Sequence, residues 1–143
     1  MLERKELYKK YGYDQDAGRN FILEKALPLQ EPVLEIGTGK GHMTALLAKH
    51  ARKVLAVDKT AEEQELARLN VAAEIIRVCR KKIVIADFNQ EGFKAIRKVH
   101  HAEGREHEEC SGDFSIVGKF LEDKGFCVTK HNGFCQEVYV GGK

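Results

Sequence analysis

The stretch Val33-Leu-Glu-Ile-Gly-Thr-Gly-Lys-Gly41 decides the fold of this chain. Its first four residues, 33–36, predict a short apolar strand, and an amphipathic helix is predicted to follow from about His42 to His50. Between them stand three glycines at alternate positions. Glycine lets a backbone turn tightly and lets a ligand approach with no Cβ in the way. The stretch therefore predicts a ligand-binding turn between a strand and a helix.

Two more units of the same kind follow along the chain. A second apolar strand, Val54 to Val57, ends in Asp58, and a long helix is predicted from Thr60 to about Cys79. A third strand, Ile83 to Ala86, is followed by Asp87 and by a helix from about Gln90 to Val99. Three strand-to-helix units in a row favour a parallel sheet with right-handed crossovers.

The two ends of the chain differ from this middle part. Short helices are predicted over residues 2–10 and roughly 18–27, and residues 1–31 form an N-terminal helical cap. A helix opens at Asp113, and strands Phe126 to Lys130 and Phe134 to Val140 flank Asn132-Gly133, which is typical of a hairpin turn. We therefore predict one α/β domain over 1–143: a reduced, Rossmann-like three-layer sandwich with about five strands, mostly parallel, ending in an antiparallel hairpin.

The spacing of the glycines excludes two common ligands. A dinucleotide fingerprint would need its third glycine at position 42, which is His42, and a phosphate-binding Walker loop would need Ser or Thr after Gly39-Lys40. Asp58 lies 17 residues after Gly41, where this topology places its carboxylate beside the turn and lets it accept both ribose hydroxyls. A nucleoside with neutral or positive charge suits such a site, and S-adenosyl-L-methionine (SAM) fits that description.

The same residues carry a resemblance to a known family. Residues 33–41, followed by Lys53-Val-Leu-Ala-Val-Asp58, resemble motif I and the acidic second-strand motif of the class I SAM-dependent methyltransferases. The resemblance implies a transferase that binds SAM through the turn and the acid: Glu35, Gly37, Thr38, Gly39, Gly41 and Asp58. Gly18-Arg-Asn-Phe-Ile22 is also similar to the segment before motif I in ribosomal RNA adenine dimethyltransferases, although the spacing to motif I is shorter here.

The chain departs from the family pattern in its middle. Family members place about two further strands between the positions of Asp58 and Ile83, and both are missing here. The helix from Thr60 joins the beginning of one family helix to the end of a later one, which puts a deletion at about 72–74. A single sheet can still close if the Ile83 strand lies directly beside the Val33 strand. In chain order the five strands would then be arranged 2-1-3-5-4.

The catalytic group is less well marked than the cofactor site. Asp87 ends a parallel strand at the edge where ligands bind in such sheets, so it is the candidate catalytic residue at the methyl acceptor. The alternative is that Asp87 only caps the helix that follows. No Asn-Pro-Pro-Tyr or Asp-Pro-Pro-Tyr motif is present. Two functions stay open: a methyltransferase with an unidentified acceptor, or a catalytically silent module, derived from a methyltransferase, that binds SAM or interacts with protein or RNA.

Net charge and apolar content limit the kinds of partner that this chain could bind. The net charge is only +2, so RNA binding needs a local patch such as Arg77, Arg80, Lys81 and Lys82. No apolar run approaches the roughly 20 residues that span a bilayer, so a cytoplasmic protein without membrane contact is expected. A sheet this reduced leaves apolar surface that a second copy could cover, so a homo-oligomer stays open. The group His100, His101, His107 and Cys110 matches no standard zinc spacing, and we predict no metal.

Overall fold

A computed structural model describes residues 3–37, 40–57, 77–105 and 115–143 of the chain. The helices are α1 (Arg4–Lys10), α2 (Gln15–Ala26), α3 (His42–Leu47), α4 (Gln90–Ala102) and α5 (Ile116–Asp123). The strands are β1 (Val33–Ile36), β2 (Val54–Val57), β3 (Lys82–Phe88), β4 (Cys127–Asn132) and β5 (Gln136–Gly142). Within these ranges no helix is both long enough and apolar enough to cross a membrane.

The elements follow the predicted order. Both β1 and β2 occupy the residues predicted for them, and α2 ends before Pro28 as expected. The helix after β3 begins at Gln90 as predicted and continues three residues beyond Val99. The predicted helix from Thr60 lies outside the described residues except for its last three positions. The proposed deletion at 72–74 also lies outside them.

The strands form two sheets and not the single sheet that we predicted. In one sheet β1 and β2 pair in parallel, with Val33 opposite Val54. In the other, β5 lies between β3 and β4 and is antiparallel to both. Within each sheet the predicted neighbours are confirmed. The β1–β3 pairing and the mostly parallel character are wrong for the described strands, two of whose three pairings are antiparallel.

A side-chain contact joins the first residue of β3 to the segment that follows α2. Lys82, the first residue of β3, donates from Nζ to the carbonyl oxygens of Ala26 (3.1 Å) and Pro28 (2.8 Å). The chain that leads from α2 towards β1 is thus attached to the beginning of β3 by one ammonium group. The structure is compatible with a reduced α/β fold.

The C-terminal hairpin is present, but its turn lies later than predicted. Asn132 pairs with Glu137, and the Gly133 N–H donates to the Gln136 carbonyl oxygen at 2.7 Å, so Phe134 and Cys135 form the tip. Asn132-Gly133 therefore ends β4 and does not make the turn. A Cβ on Gly133 would lie 2.9 Å from Cε1 of Phe21. The glycine is needed there for the close approach of α2.

Two buried clusters hold α1, α4, α5 and the antiparallel sheet together. In the first, Tyr8 and Tyr13 from the N-terminal cap pack against Val99 of α4 and Cys135 of the hairpin tip. In the second, Leu121 of α5 packs on the antiparallel sheet together with Ile83, Phe126 and Tyr139. Burying such side chains contributes roughly 1.5–3 kcal/mol each. The first cluster fixes the cap over the hairpin tip, at the end of β3.

Candidate functional site

The glycine turn after β1 has the backbone geometry that its sequence predicts. Gly37 directly follows β1 with φ +80°, and Gly41 precedes α3 with φ +74°. Both values lie in the left-handed region, which side chains other than glycine rarely adopt. A Cβ built on Gly37 would have no atom of the described residues within 4 Å. Thr38 and Gly39 lie outside the described residues.

Glu35 connects the strand to the helix across this turn. The Thr44 hydroxyl in α3 donates to Oε2 of Glu35 at 2.6 Å, and Glu35 itself is half-buried. A hydrogen bond to an ionised carboxylate is stronger than one between neutral groups. This contact therefore fixes the spacing between β1 and α3 on either side of the glycines. A direct contact between Glu35 and a cofactor stays a prediction.

The parallel pairing of β1 and β2 places their carboxyl ends at one edge. Ile36, the last residue of β1, lies opposite Val57, the last residue of β2. Asp58 is the next residue in the chain and lies outside the described residues. The two strands thus end beside each other, which is the arrangement that the predicted ribose contact requires.

Asp87 lies in the other sheet, on β3, opposite Glu137 of β5. Its Oδ1 accepts the N–H of Phe88 at 2.8 Å, and the residue is exposed. The described strands do not join it to the sheet that carries the glycine turn. The alternative of helix capping is wrong, because Asn89 caps α4: its Oδ1 accepts the N–H of Gly92 at 3.0 Å. A catalytic role of Asp87 stays a prediction.

Sequence reasoning missed a concave site between the N-terminal cap and the hairpin tip. This cavity, which we call the cap cavity, has a volume of about 190 Å³. Residues of three regions line it: Gly12 to Asp14, the first turns of α2 as far as Phe21, and Gly133 to Gln136. The only local signal was Gln136, a polar residue in an apolar strand. Its side chain contacts Tyr13 and lies beside Gly18, both more than 100 positions away.

The polar groups of the cap cavity are neutral or already bonded. Gln136 is 7% exposed, and its Nε2 donates to the Tyr13 hydroxyl at 3.2 Å. Burial raises the pKa of Tyr13 to about 12, so this hydroxyl is uncharged near neutrality. Asp14 caps α2 by accepting the N–H groups of Ala17 and Asp16. The pKa of Asp14 lies below its ordinary value, chiefly because its carboxylate accepts the backbone N–H of Ala17.

Two further predictions concern metal and RNA. The described residues contain no group of three or more His, Cys, Asp or Glu side chains that could hold a metal ion. His107 and Cys110 of the histidine-rich group lie outside those residues. Of the four cations proposed as an RNA patch, Lys82 is bonded to the carbonyls of Ala26 and Pro28. RNA binding stays a prediction.

Comparison with known proteins supports a methyltransferase-like relationship. The chain is 38% identical over 65 residues to a protein-L-isoaspartate O-methyltransferase of Dictyoglomus turgidum, a match that covers 42% of this chain and 30% of that protein. It is 32% identical over 94 residues to a ribosomal RNA small subunit methyltransferase A of Desulforapulum autotrophicum, covering 62% of this chain and 32% of that protein. The chain thus spans about a third of the length of these relatives. No protein-family profile and no solved structure matches it.

Proposed function

We propose that this chain binds SAM at the glycine turn after β1 and transfers its methyl group to an acceptor. The observation that carries the proposal is the β1–turn–α3 unit, in which Gly37 has a left-handed backbone and the Thr44 hydroxyl donates to Glu35 at 2.6 Å. The two methyltransferase matches support the same reading. The proposal extends to the fold: the two sheets would be parts of one reduced Rossmann-like domain over residues 1–143.

The residues of the turn fit a nucleoside better than a phosphorylated ligand. Gly37 and Gly41 let the backbone lie close to the ligand, together with Thr38 and Gly39 of the same turn. Asp58 would accept the two ribose hydroxyls. A carboxylate repels phosphate and attracts a sulfonium, so the acid beside the turn favours SAM over a nucleotide.

In methyl transfer the cofactor carries the activated group, and the protein contributes mainly the position of the reactants. SAM supplies a methyl group that its sulfonium already activates. The chain would contribute position, because an in-line displacement requires the acceptor atom to be held close to the methyl carbon and aligned with the leaving sulfur. For a protonated acceptor it would also contribute a base. We assign that role to Asp87, an exposed carboxylate near the carboxyl end of β3.

Calorimetric titration with S-adenosylhomocysteine tests the cofactor site. We expect micromolar binding that is lost in Asp58→Ala and in Glu35→Ala. Asp123→Ala is the matched control, since Asp123 is an exposed acid at the end of α5. A folded sample that gives no heat of binding, or an Asp58→Ala variant that binds as the wild type does, would contradict the proposal.

Incubation with radiolabelled SAM and a cell extract tests the transfer step. A methyltransferase moves the label to a component of the extract, and Asp87→Ala should lower the amount transferred while leaving the calorimetric affinity for S-adenosylhomocysteine unchanged. Binding without any transfer of label would identify a SAM-binding module with no catalytic activity.

A further inference from the structure

We propose that one face of the parallel sheet is an interface that binds a second copy of this chain. We call it the β1–β2 face and define it by Leu34, Ile36 and Leu55, which lie on the side of the sheet opposite to α3. The proposed function plays no part here, because the residues of this face contact another protein surface and not a ligand. Three observations carry the inference: the exposure of the face, its chemistry, and the surface area of the chain.

The alternation of side chains along the two strands creates this face. Leu34 and Ile36 of β1 point to the same side, because successive side chains of a strand alternate. Leu55 of β2 lies opposite Leu34 and so belongs to the same face. Glu35 points to the other side, where it accepts the hydroxyl of Thr44 in α3. Helix α3 therefore lies on one face of the sheet, and the β1–β2 face is the other.

The side chains of the β1–β2 face are exposed, although they are large and apolar. Leu34 is 45% exposed, Ile36 42% and Leu55 58%. Parallel sheets occur almost only with both faces covered, and a unit of two strands needs packing against further structure to be stable. Neighbouring apolar side chains left at a surface mark an interaction site. Within the described ranges nothing buries these three side chains, so we expect a further layer over them.

The surface area of the chain shows that a layer as large as a dimer interface can be accommodated. The accessible surface is 10181 Å² for a mass of 16.1 kDa. A compact monomer of that mass exposes about 7,400 Å², which leaves an excess of about 2,800 Å². The interface of a permanent homodimer removes roughly 1,000–2,500 Å² from each partner. The excess surface is therefore sufficient for such an interface.

The chemistry of the face favours a second copy over a charged partner. Its three side chains are aliphatic, so a charged group placed against them would lose its hydration and gain no hydrogen bond there. An interface around a two-fold axis requires a surface that complements itself, and an aliphatic sheet face does so. The net charge of +2 means that two copies repel each other only weakly. The two sheets would pack face to face, about 10 Å apart.

Sedimentation velocity over a concentration series tests the interface, with the full chain and no ligand. We expect the wild type to change from monomer to dimer between about 1 and about 100 µM, because interfaces of standard size give micromolar or tighter association. Replacing a central interface residue commonly weakens association about 30-fold, and a two-fold axis brings each substitution in twice, so Leu55→Asp should weaken dimerisation at least about 100-fold. Ile116→Asp is the matched control, since Ile116 is 66% exposed on α5 and should leave dimerisation unchanged.

A milder variant keeps the test decisive if Leu55→Asp fails to fold. Leu55→Thr places a β-branched residue in the strand, which suits strand structure, and it should weaken dimerisation about 10-fold. Far-UV circular dichroism checks that each variant is folded. Thermal unfolding gives an independent readout: association stabilises the folded state, so the unfolding midpoint of the wild type should rise with protein concentration, and that rise should be smaller in Leu55→Thr.

Three results would overturn the inference. The first is a wild type that stays a monomer over the whole concentration range; if Leu55→Asp then also lowers its unfolding midpoint, another part of the chain covers the face. The second is a dimer that Leu55→Asp leaves as tight as in the wild type, which would place the interface elsewhere. The third is an equal loss in Leu55→Asp and Ile116→Asp, which would indicate association without a defined surface.

Discussion

Replacing Asn89 tests how the hairpin tip is held in place beside β3. Its Oδ1 accepts the N–H of Gly92 at 3.0 Å and so caps α4. Its Nδ2 donates to the carbonyl oxygens of Gly133 (2.9 Å) and Phe134 (3.2 Å). One side chain thus joins the beginning of a helix to the hairpin tip. Asn89→Ala removes all three bonds, and Asn89→Ser keeps the capping oxygen but is too short to reach the carbonyls.

The expected losses follow from those bonds. A lost N-cap costs about 1 kcal/mol, and each hydrogen bond to a carbonyl adds about 1 kcal/mol. The Phe134 carbonyl bond is the longer of the two, so we expect Asn89→Ala to lower the free energy of unfolding by about 2–3 kcal/mol. Asn89→Ser should lower it by about 1–2 kcal/mol. With a urea m value of about 1.5 kcal/mol/M, a loss of 2 kcal/mol lowers the unfolding midpoint by about 1.3 M.

Urea unfolding followed by circular dichroism measures both losses. Asn132→Ala is the matched control, because Asn132 is an exposed asparagine at the end of β4 and its replacement should stay within about 0.5 kcal/mol of the wild type. A Ser variant as stable as the wild type would show that the carbonyl bonds contribute nothing. If the Ala variant is also unchanged, the reasoning about the hairpin tip is refuted.

Three further predictions concern other contacts of the described residues. In Gly92→Ala the new Cβ would collide with a backbone carbonyl of the hairpin tip, so thermal unfolding should show that the free energy of unfolding falls by about 1–3 kcal/mol. In Gly142→Ala the new Cβ has no atom of the described residues within 4 Å, and the free energy of unfolding should stay unchanged. Thr44→Val removes the donor to the β1 carboxylate and should weaken S-adenosylhomocysteine binding in calorimetry, while Thr129→Val, at an exposed site, should not. The pKa of Tyr13 is raised by burial from 10.0 to about 12, so the folded state holds this proton more tightly and stability should fall as pH rises from about 10 to about 12. Chemical unfolding across that pH range should show a smaller decrease of the free energy of unfolding in Tyr13→Phe than in the wild type. An equal decrease would show that other groups cause the pH dependence.

Local elements could be predicted where the signal lies within a few residues. The strand β1 stands between Pro32 and Gly37, two residues that mark its ends, and its observed bounds match the prediction. The first residue of the helix after β3, Gln90, was also predicted. Its cap was misassigned, since Asp87 and Asn89 are both good capping residues and only the backbone path shows that Asn89 is the one in position.

The hairpin tip and the cap cavity could not be predicted because distant residues determine them. Asn132-Gly133 is a strong local turn signal. In the structure, however, Gly133 packs closely against Phe21, and the turn is formed by the next two residues, Phe134 and Cys135. The Tyr13–Gln136 hydrogen bond joins residues 123 positions apart. No periodicity or motif within a short window records such a contact. The same holds for the separation of the strands into two sheets.

The proposed chemistry depends on the distance between the glycine turn and Asp87 of β3, because methyl transfer requires cofactor and acceptor to be held in line. In the described residues two features connect the sheets that carry these sites. Helix α2 contacts α3 on one side and β5 on the other, and Lys82 attaches the end of α2 to the beginning of β3. Since Lys82 is part of neither the glycine turn nor the Asp87 carboxylate, Lys82→Met should leave the binding of S-adenosylhomocysteine unchanged, yet lower the transfer of labelled methyl groups. If transfer is also unchanged, the separation of the two sites is fixed by other parts of the chain.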